Sequence, residues 1–196
     1  MTPISEAARN TILGEARTHA TWLDKPVPES LLRQVYDLTK MGPTSANCCP
    51  ARFVFVTSEA GKARLKPHLI EGNVEKTMTA PATAIIAYDS EFYERVPELH
   101  PHNPGARDWF TGSEQSIYDN AMRNGTLQGA YFMLAARAFG LDCGPMSGFD
   151  PAGVNNEFFP DGQFRVNFLC NLGYGDASTL HPRLPRLDFD DACRVA

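Results

Sequence analysis

Two short runs, Phe53-Val54-Phe55-Val56 and Ala82-Thr83-Ala84-Ile85-Ile86-Ala87, are apolar at nearly every position and rich in strand-forming side chains. A surface helix needs a polar face and a half-buried strand alternates, so unbroken runs of this length read as strands covered on both faces. Arg165 to Leu172 reads as a further strand. Cover for such a sheet comes from helices, and the chain supplies them. Residues 4–16 place Ile4, Ala8, Ile12 and Ala16 at four-residue spacing, with Thr2 or Ser5 as N-cap. Pro28, Glu29 and Ser30 open a second helix, Leu31, Leu32, Val35, Tyr36 and Leu38 form its stripe, and Gly42-Pro43 stops it. One long helix runs from about Ser113 to Phe139, with apolar residues around much of its circumference and Gly140 as C-cap. Gly125 and Gly129 inside it cost about 1 kcal/mol each, which predicts close packing there. Leu141-Asp142-Cys143 then leads to a turn and a short helix capped by Asp150.

Composition narrows the class. A chain of 196 residues, 43% hydrophobic and 21% charged, fits one globular domain, 1–196, with no internal repeat or linker. The net charge of -5 argues against a nucleic-acid face but leaves room for a small phosphate held by a few local cations. No run approaches the roughly 20 apolar residues that span a bilayer, and Met1 to Glu6 lacks the pattern of a secretory leader, so no membrane is expected and the location reads as cytoplasmic. The cysteines Cys48, Cys49, Cys143, Cys170 and Cys193 lack the paired spacing of a zinc site and read as reduced, mostly buried residues. His100 and His102 have no further ligands beside them, so no metal is expected. Neither a dinucleotide fingerprint nor a phosphate-binding loop is present, and Gly173-Tyr174-Gly175 reads as a strand-end turn.

Three stretches do not read as scaffold. In Gly42-Pro43-Thr44-Ser45-Ala46-Asn47-Cys48-Cys49-Pro50, short donors and acceptors are pinned between prolines, which suits a ligand-binding loop, although the same residues also make ordinary turns. Residues 88–112, rich in Pro, His, Asp and aromatics, are too long and irregular for a simple connection and read as a lid or interface excursion. The tail, 178–196, carries two prolines and several charges but also Leu184, Leu187, Phe189 and Val195, which favours packing across another subunit.

Together, Arg17-Thr18-His19, the loop above, Asn73-Val74-Glu75-Lys76, Pro145-Met146-Ser147-Gly148-Phe149 and Arg183-Leu184-Pro185-Arg186 resemble the FMN-dependent nitroreductases, in the branch like malonic semialdehyde reductase. The resemblance covers nearly the whole chain. It implies an α+β fold, a mostly antiparallel central sheet flanked by helices, and an intertwined homodimer with two FMN sites at its interface. The tail would wrap the partner, and NADH or NADPH would donate hydride.

On that resemblance, Arg17, Arg183 and Arg186 would hold the phosphate, with Thr18 and His19 beside Arg17 in the cofactor site. Asn73 and Lys76, three apart and on one face if helical, would meet the ring's polar edge, where a fixed ammonium stabilises the reduced flavin. Pro145, Met146, Ser147 and Gly148 would bring backbone close to the ring. Pro43, Thr44, Ser45 and Asn47 would reach the partner's flavin. Two departures from the family pattern stand out. His19 and Thr21 replace a serine and a second basic residue, leaving Arg183 and Arg186 as the candidate compensation, and Cys49-Pro50-Ala51 replaces a Gln-Pro-Trp sequence, leaving a smaller, less aromatic wall. The implied activity is reduction of a small carbonyl acid such as malonic semialdehyde, with quinone or nitroaromatic reduction, or a non-catalytic flavin-binding dimer, as alternatives. A Cys48 or Cys49 nucleophile paired with His19 lacks an orienting third group.

Overall fold

In a computed structural model describing residues 2–196, the apolar runs lie side by side in one sheet. Its strands are β1 (Ala51–Val56), β2 (Ala82–Asp89), β3 (Asp142–Met146) and β4 (Phe164–Gly173), in the order β1-β2-β4-β3 with every pairing antiparallel. All of β2 is buried, as an unbroken apolar run requires. Alternate residues feed two cores. Ala82, Ala84 and Ile86 pack with Leu32 and Val35 of α2 (Glu29–Thr39) and Phe132 and Ala136 of α6 (Glu114–Ala138). On the other face Ile85 and Ala87 meet Leu65 of α3 (Glu59–Leu65) and Val154 of α7 (Pro151–Phe158), with Met78 of α4 (Glu71–Thr79) alongside. The fold is α+β, helices covering both faces of the sheet.

The helix α6 forms where its caps predict. Ser113 accepts from the Ser116 N–H at 3.1 Å, and Gly140 closes the helix with φ +78°. The close packing expected at Gly129 is present, since a Cβ there would lie 2.6 Å from the Phe168 ring. Asp150 caps α7 by accepting from the Ala152 N–H at 3.0 Å. All five cysteines are free, three of them buried.

Two expectations need correction, and one element carried no signal. Residues 4–16 are not one α-helix: α1 (Glu6–Arg9) lasts a single turn and widens into a π turn over Asn10–Gly14, with Leu13 61% exposed. The four-residue spacing there finds no core to face, and the Ile12 carbonyl is taken by Arg137. Asp142 to Met146 form the edge strand β3 rather than a turn. Gly144 and Pro145 argue against a strand locally, but an edge position tolerates both. The polar segment Glu59–Leu65 forms α3, which offered too little apolar periodicity to be read.

Residues 88–112 build a third core. Phe92, Val96 of α5 (Val96–Leu99), Ala106 and Phe110 are buried with Tyr88, Cys48 and Ala121, while Trp109 stays exposed.

Candidate functional site

After the π turn, the chain runs against the free edge of β3. Thr18 bridges Cys143, and the His19 N–H donates to the Cys143 carbonyl at 3.1 Å. The start of the tail returns across this segment. The Asp176 N–H donates to the Thr21 carbonyl at 3.1 Å, and the Thr21 and Thr179 hydroxyls are hydrogen-bonded to each other. Two arginines make a reciprocal clasp: Arg17 Nη2 donates to the His181 carbonyl at 2.5 Å, and Arg183 Nη2 to the Ala16 carbonyl at 3.2 Å. The two strands of chain enclose a cavity of about 730 Å³, within the range of small-molecule sites. Arg17, Thr18, Arg137, Arg183 and Arg186 line it.

No aspartate or glutamate lines this cavity, and among the described residues none of its four arginines has a carboxylate partner. Four guanidinium groups around one space repel each other until an anion enters. Arg137 is held by one contact, Nη1 donating to the Ile12 carbonyl at 3.1 Å, and its Nε is buried without an acceptor. A buried unpartnered donor costs about 1–3 kcal/mol. Nothing in the sequence marks Arg137, because a cation in the last turn of a helix is what the helix dipole favours anyway.

A second cluster lies farther along β3. Asn73 of α4 is buried and donates from Nδ2 to the Gly148 carbonyl at 2.7 Å, and the Ile70 N–H reaches the same carbonyl at 3.3 Å. This close approach requires glycine, since a Cβ at Gly148 would sit 2.4 Å from Ile70 Cδ1 and 2.7 Å from Asn73 Nδ2. One turn on, the Lys76 carbonyl accepts from Trp22 Nε1 at 2.9 Å and Asn171 Nδ2 at 3.1 Å, and Asn171 is itself fixed by Thr83 at 2.7 Å. The Lys76 side chain is half-buried, and among the described residues it has no ion-pair partner. Extended chain rises about 3.3 Å per residue, so roughly 16 Å of β3 and its exit separate Cys143, beside Thr18, from Gly148, beside Asn73. Trp22 joins the clusters, its indole lying 3.3 Å from where a Cβ on Gly144 would be.

The remaining expected residues lie as follows. Pro145 and Met146 end β3, with Met146 Sδ accepting from Thr77 Oγ1 at 3.6 Å, and Ser147 is exposed. His19 does not line the cavity. It is buried, its ring 6.4 Å from that of Trp22 and its Nε2 3.5 Å from Asp142.

The loop of Pro43, Thr44, Ser45 and Asn47 stands elsewhere. Ala46, Asn47 and Cys49 all have positive φ, at 46°, 52° and 40°, although none is glycine. Side chains of α6 hold this strained backbone: the Ser45 N–H donates to Asn124 Oδ1 at 2.9 Å and the Tyr131 hydroxyl to the Pro43 carbonyl at 3.0 Å. Thr44 Oγ1 accepts from the Cys49 N–H at 3.2 Å, and Asn47 Nδ2 donates to the Leu99 carbonyl at 2.8 Å. Asn47 and Cys49 border a separate cavity of about 980 Å³ between α2, β1 and α5. Within one chain, therefore, the loop and the arginine cluster face different spaces. Burial pushes the Cys48 thiol up to about 12, which leaves no thiolate to act as a nucleophile near neutral pH.

The family model "Nitroreductase family" matches residues 15–174, from the approach to Arg17 through the end of the sheet. The chain belongs to the nitroreductase family. A relative from Ralstonia nicotianae, provisionally named an NADH dehydrogenase/NAD(P)H nitroreductase, is 54% identical over 195 residues, covering 100% of both chains. One from Stenotrophomonas maltophilia with the same provisional name is 57% identical over 193 residues, 98% of each. The fold matches a provisionally assigned nitroreductase from Bacillus subtilis with a TM-score of 0.88 at 23% identity, over 98% of this chain and 100% of that one. A second such structure, from Exiguobacterium sibiricum and solved in complex with FMN, matches with a TM-score of 0.87 at 19% identity over 100% of both chains.

Proposed function

We propose that the protein is an FMN-dependent oxidoreductase that takes hydride from NADH or NADPH and reduces a small carbonyl acid, malonic semialdehyde to 3-hydroxypropionate being the leading candidate. The observation that carries this reading is the cavity lined by arginines and no carboxylate, which opens beside the strand that leads to Asn73 and Gly148. A phosphate fits that donor set. Arg17, Arg183 and Arg186 would hold it by charge-assisted, fork-shaped contacts. The relatives' names and the FMN-bound neighbour favour the same cofactor.

Bound FMN supplies a ring that accepts hydride from a nicotinamide and releases it to an acceptor. The chain's own groups bind, orient and balance charge around it. Asn73 spends its Nδ2 on the Gly148 carbonyl, so its Oδ1 remains to accept from the ring's polar edge. Lys76, with its backbone carbonyl clamped by Trp22 and Asn171, carries the cation that stabilises negative charge on the reduced ring. Backbone N–H groups around Ser147 and Gly148 are the donors for the hydride-accepting edge. Water or a group from 88–112 would supply the proton to the nascent alcohol.

The site is completed, in this reading, by a second copy. The Pro43, Thr44, Ser45 and Asn47 loop would serve the partner's flavin. Leu184, Leu187, Phe189 and Val195 are 74%, 75%, 62% and 86% exposed in the single chain, and a homodimer would cover them. The wall Cys49-Pro50-Ala51 carries neither amide nor indole, which favours a compact polar substrate over a stacked aromatic.

Purified protein should be yellow or become so with FMN, and NADH or NADPH should bleach it anaerobically. Catalytic efficiency is then compared on malonic semialdehyde, a benzoquinone and a nitrobenzoate. Preference for the aldehyde acid supports the substrate reading, and preference for the aromatics replaces it with a quinone or nitro reductase. Colourless protein after incubation with FMN removes the flavin reading altogether. Bound flavin that no nicotinamide bleaches marks a non-catalytic flavin-binding dimer.

A further inference from the structure

We propose that Arg137 is a direct ligand of the cofactor phosphate, the one cation of the four that the body of the fold fixes in advance; this rests on the flavin reading above. Arg183 and Arg186 belong to the tail, and Arg17 is clasped to it. Arg137 instead stands in the last turn of the 25-residue helix α6, next to Ala135 and Ala136, which are buried in the core. Its backbone is set whether or not the tail is in place.

The side chain is not engaged as a helix-end arginine ordinarily is. Such residues cover the last carbonyls of their own helix or extend into water. Here Nη1 donates to the Ile12 carbonyl of another segment, Nε is buried with no acceptor, and the residue lines the arginine cavity. A guanidinium has five N–H donors in a planar fork. Ile12 takes one and Nε is buried, so the other terminal Nη donors are those left for a phosphate oxygen entering the cavity. The location also answers the departure at His19. That residue faces Asp142 at 3.5 Å instead of the cavity, so the N-terminal segment contributes only Arg17 as a cation. Arg137 supplies the second basic group from α6.

FMN and riboflavin share ring and ribityl chain and differ in the phosphate, so their affinities separate a phosphate contact from a general disturbance. Both are titrated by flavin fluorescence into flavin-free full-length protein, wild type, Arg137→Ala and Arg137→Lys. Arg137→Ala is expected to weaken FMN by about tenfold or more, the scale of one charged hydrogen bond, and riboflavin by less than about twofold. Arg137→Lys keeps a charge and loses the fork, so its FMN loss falls in between. Equal losses for both flavins would show that Arg137 only ties α6 to Ile12 and would overturn the proposal, as would no loss for either. If Arg137→Ala does not fold, the FMN-to-riboflavin ratio of Arg137→Lys decides by the same criterion. Wild-type protein that binds no FMN sinks the flavin reading and this proposal together, whereas wild-type binding with an unchanged ratio in the variants sinks this proposal alone.

Discussion

The two cavities differ less in size than in how their charges are settled. The larger, about 980 Å³ between α2, β1 and α5, has four long cations and a carboxylate for each: Arg33 with Glu29 at 2.5 Å, Lys40 with Asp37 at 2.5 Å, Arg52 with Asp89 at 2.6 Å and Arg95 with Glu98 at 2.8 Å. The smaller, about 730 Å³ between the N-terminal segment and the tail, has four arginines and none. Ion pairs already made inside a chain leave little for a ligand to gain. Uncompensated guanidinium groups, one with a buried orphan N–H, leave a great deal. Charge compensation, more than volume, separates the two cavities: the smaller is the one whose cations lack carboxylate partners among the described residues.

That contrast yields variants with opposite signatures. The largest effect is expected on stability from the compensated side. Asp89 is 2% exposed and accepts from Arg52, Gln163 and the Glu91 N–H, so Asp89→Ala should cost about 3 kcal/mol in urea unfolding while leaving the FMN affinity of the folded protein intact. On the uncompensated side, Arg17→Ala should raise the FMN dissociation constant by roughly 30- to 100-fold, with unfolding changed by less than about 1 kcal/mol. A stability loss without an affinity loss would reverse the assignment of the two cavities. Lys76→Ala sharpens the reading at the other end of the site. The flavin potential, measured against a reference dye, should fall by roughly 30 mV and reduction should slow by about tenfold if, as proposed, this cation favours the reduced form. Smallest is Arg33→Ala, which removes an exposed helix pair and should stay within about 0.5 kcal/mol with flavin binding unchanged.

The legibility of the chain followed the same division. β2 could be read because a strand buried on both faces is apolar at nearly every step, β4 from its strand-forming residues despite Arg165, Asn167 and Asn171, and α6 because its caps and its glycines report packing that the structure contains. β3 could not, because an edge strand is held by β4 on one side and by Thr18 and His19 on the other, so Gly144 and Pro145 survive where local propensity forbids them. The N-terminal stretch shows the converse: four-residue spacing without a surface to bury against gives one turn and a bulge. Within the site, Arg17, Thr18, Arg183 and Arg186 come from a resemblance and meet in one cavity, although 169 positions of sequence separate Arg17 from Arg186. Arg137 carried no signal of its own, since nothing in a sequence distinguishes a helix-end cation that faces a cavity from one that faces water.

A crystal structure of the full-length protein with FMN tests the central claim most directly. The account predicts the phosphate in the smaller cavity, against Arg17 and Arg183, with the ring reaching Asn73 and Lys76. A phosphate bound instead in the larger cavity, beside Arg52 or Arg95, would contradict it.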